Sequence, residues 1–200
     1  MGKQKNANRL NGKDLVNVGV FTAVYLVIYI LVSCVLGLIP ILAVLMQFVS
    51  TVILGIPMML YFSKIKKFGM VSITYIVNGI LMILLGLGIY ALVFGVICSL
   101  IAELILRSGK YQSANRAILA FAIVSTGANA NTLYWVIGSK EFLEKTAASM
   151  GADYMNTVIG YFSYWWVCPA IMLSAFVGGL IGGLLGKAVL KKHFVRSGLV

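Results

Sequence analysis

Six long apolar stretches separated by short polar gaps run along the chain, at about 15–39, 41–62, 69–85, 89–106, 118–137 and 167–186. A helix needs about 20 apolar residues to cross a hydrocarbon layer of about 30 Å. The pattern therefore predicts six transmembrane helices and an all-α, polytopic membrane protein. The third and fourth stretches are short and separated by only a few residues around Gly86 and Gly88. They are expected to form an antiparallel hairpin with little tilt. Pro40 interrupts the backbone where the first stretch ends, and Pro57 predicts a kink late in the second. Residues 1–14 read as a basic N-terminal segment, 15–190 as one membrane domain and 191–200 as a basic tail. The first apolar stretch follows a basic run, as a secretory signal does, but it is too long for a signal core and is expected to remain as a span.

The longest polar segment between two spans covers 138–156 and is expected to be a loop. Within it Phe142, Ala147 and Met150, with Glu144 and Lys145 between, suit a short amphipathic helix on the bilayer surface. Ahead of the last span stand Tyr161, Phe162, Tyr164, Trp165 and Trp166, a run expected at the membrane interface.

Composition narrows the class. Of 200 residues 61% are hydrophobic and only five are acidic, which excludes a water-soluble globule of this size. Fourteen of the sixteen Lys and Arg residues fall in the N-terminus, the second and fourth gaps and the C-terminus. Short Lys/Arg-rich segments stay in the cytoplasm, so both termini are expected inside and the 138–156 loop outside. The net charge of +11 would suggest nucleic acid in a soluble protein; here the basic residues lie just beyond the spans, where they meet anionic lipid headgroups. The expected partner is the lipid bilayer, with no nucleic acid. Cys34, Cys98 and Cys168 lack metal-ligand spacing and read as small packing residues.

Small residues recur every four positions in the last span, as Ala170, Ser174, Gly178, Gly182 and Gly186, with a parallel ridge of Ala175, Gly179 and Gly183. Such ridges let helices approach closely in lipid. Packing within the chain accounts for most of these glycines, and one ridge is left for docking on a second protein. Gly19 and Ala23 make a shorter version in the first span.

Polar groups inside hydrocarbon mark function more sharply, because an unpaired one is unfavourable there. The fifth span concentrates them as Ser125, Thr126, Asn129, Asn131 and Thr132. Asn129 and Asn131 fall in its outer half, where their amides suit hydrogen bonds to a small ligand while Tyr134, Trp135, Tyr161 and Trp165 stack on it. The competing role is hydrogen bonding between helices. Glu103 is the one acid well inside a span; Arg107 follows four residues later on the same helix face, so an ion pair is expected. Asn78 has no partner evident in sequence. No catalytic set is present, since the single His is His193 in the tail, and no metal or cofactor site is expected. Residues 182–187 look superficially like a nucleotide-binding loop, but the glycine spacing differs and Ala188 stands where a magnesium-ligating hydroxyl is required.

A six-span chain of this size with Asn17-Val18-Gly19-Val20-Phe21-Thr22-Ala23 at the cytoplasmic end of its first span resembles the substrate-binding S components of energy-coupling factor (ECF) transporters. It is most similar to the Trep-Strep, or MptD-type, group, a resemblance that covers nearly the whole chain and includes Ala102-Glu103-Leu104-Ile105 before a basic loop and the Asn-rich fifth span. The resemblance implies a non-enzymatic subunit of the bacterial plasma membrane that captures a small-molecule nutrient, vitamin-like or another micronutrient, outside. A membrane T component and two ATPase subunits then power delivery inward, as in an ABC importer. It also implies docking of the T component on Gly19 and Ala23, although the usual motif has Ala at both positions. The implied substrate region holds Asn129, Asn131, Tyr134, Trp135, Tyr154, Asn156, Tyr161 and Trp165. Two other readings compete: a self-sufficient transporter or channel, and, last, an intramembrane enzyme.

Overall fold

The computed structural model describes residues 10–138, 140–191 and 195, the side chains of Glu141 and Phe142 aside. Lys3, Lys5, Arg9, Lys192, His193 and Arg196, and with them most of the two expected tail segments, lie outside the described residues. Among the described residues the structure is helical, with no strand.

α1 (Gly12–Leu36) opens on a reciprocal cap: Asn11 Oδ1 accepts the Asp14 N–H at 3.0 Å, and Asp14 Oδ2 accepts the Asn11 N–H at 2.8 Å. α2 (Pro40–Lys64) starts on Pro40, whose fixed φ and missing N–H suit a first helical position, and continues through Pro57. α3 (Met70–Leu84) and α4 (Tyr90–Ser108) form the expected hairpin, turning through Gly86 and Gly88 at φ values of 75° and 105° that favour glycine. α5 (Ala114–Ala128) is followed by a 3-10 turn (Ala130–Leu133) and by α6 (Tyr134–Ile137), α7 (Lys140–Met150), α8 (Ala152–Phe162) and α9 (Val167–Val189). Four of the long helices, and the combined stretch 114–137, have membrane-spanning length and apolarity; α3 is apolar but shorter, at 15 residues.

The apolar helices close into a ring in the order α1, α2, α9, α5, α4, α3, with α2 and α5 also touching across it. Glycines set the spacing. Gly178, Gly182 and Gly186 of α9 lie on α2 at Phe48, Thr51, Val52, Gly55 and Met59, while Gly179 and Gly183 meet Ala122 and Ile118 of α5. Both ridges are thus covered inside the chain, and these glycines are not left for a second protein. Aromatic contacts fill the interior: Phe21 stacks on Tyr61 at 5.1 Å between ring centroids, and Phe62 meets Phe121 edge-on at 6.3 Å. The Tyr61 hydroxyl ties α2 to α3 by donating to the Met70 carbonyl at 2.9 Å.

Three expectations change. The fifth span is not one continuous helix. Asn129 Nδ2 donates to the Ser125 carbonyl of its own helix at 2.7 Å, so the side chain competes with the backbone where α5 stops. The 138–156 segment is largely helical, as parts of α7 and α8, rather than an open loop. Glu103 is not ion-paired with Arg107. It is fully buried and points toward α3, where Oε1 accepts the N–H groups of Gly69 at 2.9 Å and Val71 at 2.8 Å. The first turn of α3 has N–H donors without intrahelical partners, and they supply the buried carboxylate with hydrogen bonds in place of the exposed Arg107.

The basic gaps share one end of the bundle. Lys67 bridges to Asp14 at 2.7 Å, and Lys187 donates to Asn115 Oδ1 at 3.0 Å. The opposite end carries the α1–α2 and α3–α4 turns, the 3-10 break, α6, α7 and α8.

Candidate functional site

At the end away from the basic gaps a cavity of about 600 Å³ lies between the last turns of α1, the first half of α2, the broken segment after α5, and α7 and α8. That volume is in the range of sites for drug-sized molecules. After α5 stops at Ala128, the 3-10 turn and α6 place Asn131, Thr132 and Trp135 on the cavity wall.

The walls are mainly apolar, with Val44, Met46, Met82, Met150 and Ile171 among them. Trp135 stacks on Phe162 with ring centroids 6.0 Å apart and planes 15° from parallel, and both rings line the space. The polar contribution comes from Tyr29, Ser33, Gln47, Asn131, Thr132, Thr146 and Tyr154. None of the described lining residues is Asp, Glu, Lys, Arg or His.

Several polar lining groups also hold the walls in place. Asn131 Oδ1 accepts the Ala91 N–H at the start of α4, at 2.8 Å. The Tyr154 hydroxyl donates to the Gly37 carbonyl at 2.7 Å, clasping α8 onto the α1–α2 turn, and burial pushes the phenol above its ordinary pKa. Deeper in, Gln47 Nε2 donates to Thr132 Oγ1 at 3.1 Å, a contact across 85 residues of chain.

Of the residues singled out by sequence, Asn131, Trp135 and Tyr154 come together at the cavity. Tyr134 stands behind the wall: its ring lies 4.5 Å from that of Tyr90, its hydroxyl oxygen accepts the Ile89 N–H at 2.9 Å, and it fills the space that Gly88 leaves. Asn129 is buried beside the cavity rather than on it, turned to Ser125. Tyr161 lines a separate apolar groove of about 370 Å³ between α2 and α9, with Tyr164 and Trp166. Asn156 is exposed, and Trp165 is 86% exposed. The physical reason is helical phase. On α8 the buried residues are Met155 and Val158, which turns Asn156 outward, and Trp165 sits in the turn before α9.

A family model described as a hypothetical bacterial integral membrane protein (Trep_Strep) matches residues 12–196. The chain belongs to the Trep_Strep family. No curated protein and no solved structure matches it. With five stretches of membrane-spanning length and apolarity among the described residues, this Trep_Strep member is a multi-pass protein of the bacterial cell membrane.

Sequence reasoning missed Gln47, Tyr29 and Ser33 of this Trep_Strep cavity. Gln47 carried a usable signal, being the only amide in the apolar run 41–62. An amide in hydrocarbon is as unfavourable at Gln47 as at Asn129 unless it is paired. Tyr29 and Ser33 carried none, because aromatic and small hydroxyl residues are common in membrane helices.

Proposed function

We propose that this protein is the substrate-binding S component of an ECF-type importer, taking a small nutrient into the cavity at one end and relying on a T component and two ATPase subunits to deliver it inward. The observation that carries the reading is the position of the cavity, at the end of the bundle opposite the basic gaps. With those gaps in the cytoplasm, as the distribution of Lys and Arg implies, the cavity faces outward.

The exposed face of α1 supports a role that needs a membrane partner. Gly19, Ala23, Val27, Leu31 and Val35 recur every four residues along one outward stripe, and a Cβ on Gly19 would meet nothing within 4 Å. Small residues at one end of such a stripe let a second helix approach its backbone. The first span is thus available for the T component, whereas the glycines of α9 are occupied. In this reading the chain performs no catalysis and holds no cofactor, since the partners hydrolyse ATP.

The test is assembly and transport. Expressed with a T component and ATPases from the same bacterium, the chain should co-purify with them, and Gly19→Leu should abolish co-purification while leaving the chain folded. Reconstituted alone in liposomes it should move no solute. Solute movement without partners would sink the S-component reading and favour a self-sufficient transporter.

A further inference from the structure

We propose that the cavity takes a neutral, flat, largely apolar molecule carrying an N–H or O–H donor, and that Gln47 Oε1 is the acceptor that selects it. This deepens the substrate-binding reading above and rests on it.

Gln47 lies about 10 Å along α2 from Pro40, at the deep end of the cavity. It is only 6% exposed. Its Nε2 is committed to Thr132, which turns the amide plane and leaves Oε1 buried with no hydrogen-bond partner among the described residues. A buried carbonyl oxygen without a donor is unfavourable, and a donor carried by a molecule inside the cavity relieves it. The chemistry of that molecule follows from the rest of the wall. With no charged side chain among the described lining residues, an ionic ligand would be desolvated without compensation. The stacked pair of Trp135 and Phe162 offers a rigid aromatic surface that favours a ring over a branched aliphatic group. The donor then has one deep acceptor to reach while the ring lies against the aromatic wall.

Matched probes read this directly. Benzamide is neutral and carries N–H donors, N,N-dimethylbenzamide has the same ring and carbonyl without them, and benzoate is the anion. Thermal unfolding of the detergent-purified full chain, titrated with each, should show benzamide binding about tenfold more tightly than either of the others. Gln47→Met, which keeps the length of the side chain, should bring benzamide down to the level of the dimethyl amide. The ranking in the parent chain needs no variant, so it stands even if Gln47→Met does not fold. Equal affinities in the parent, a preference for benzoate, or no binding of any probe overturns the proposal, as does a Gln47→Met chain that keeps the benzamide preference. The importer role is judged by assembly with its partners, so failure here leaves that role standing, and failure to assemble leaves this ranking intact.

Discussion

Gly55 of α2 and Gly182 of α9 meet backbone to backbone: a Cβ on Gly55 would run into the Gly182 carbonyl, and one on Gly182 would come within 2.6 Å of the Thr51 oxygen. Lipid supplies no hydrophobic incentive for helices to associate, so this contact holds α2 against α9 by close packing alone. Gly182→Val is expected to destabilise the protein by about 3 kcal/mol, since neither helix can yield without moving its backbone. Gly19→Val, on the open face of α1, should leave the melting temperature in detergent unchanged. Equal melting of the two variants would mean that the glycine ridge is not what spaces the bundle.

Glu103 caps α3 from a neighbouring helix. Glu103→Ala removes the acceptor of the Gly69 and Val71 N–H groups, and the expected loss is about 2 kcal/mol, concentrated in the first turn of α3. Glu103→Gln keeps a carbonyl acceptor and should lose less. Arg107→Ala should change stability by no more than about 0.5 kcal/mol, because Arg107 is exposed and unpaired with Glu103. Hydrogen exchange at Gly69 and Val71 reads the difference; protection unchanged in Glu103→Ala would remove the cap.

Trp135 and Trp165 separate cavity from interface. Trp135→Ala should reduce the amount of small molecule retained on the purified protein about tenfold, as expected for a half-buried aromatic anchor on the cavity wall. Trp165→Ala should retain as much as the parent, its ring being directed away from the cavity. Mass spectrometry of the released molecules gives both amounts, and the reverse ranking would remove the cavity as the site.

Orientation is open to labelling. In a background lacking Cys34, Cys98 and Cys168, a cysteine at Ser149 on exposed α7 should react with a membrane-impermeant maleimide in intact cells, and one at Lys110 only after permeabilisation. Labelling of Lys110→Cys from outside would point the cavity inward and end the nutrient-capture reading.

The helical content, the α3–α4 hairpin, the interruption at Pro40 between the first two helices and a helix near Met150 were all legible along the chain, because each depends on a local run of residues. The ion pair read from Glu103 and Arg107 was not there, although their spacing allows it. A helix face holds several directions, and the donors at the start of α3 lie in one that spacing cannot reveal. Asn129 was recognised as special, but its effect is to end a helix rather than to line a cavity.

The apolar runs alone determined that this is a multi-span helical membrane protein, since in hydrocarbon each segment must satisfy its own backbone hydrogen bonds and its length and polarity show whether it does. Which polar side chains share a chamber was decided only by the tertiary structure. Gln47 and Thr132 meet across 85 residues because glycine-spaced helices bring α2 beside α9 and α5, and the 3-10 turn after Ala128 packs against α9. No local pattern encodes that meeting, which is set by how closely distant backbones can approach.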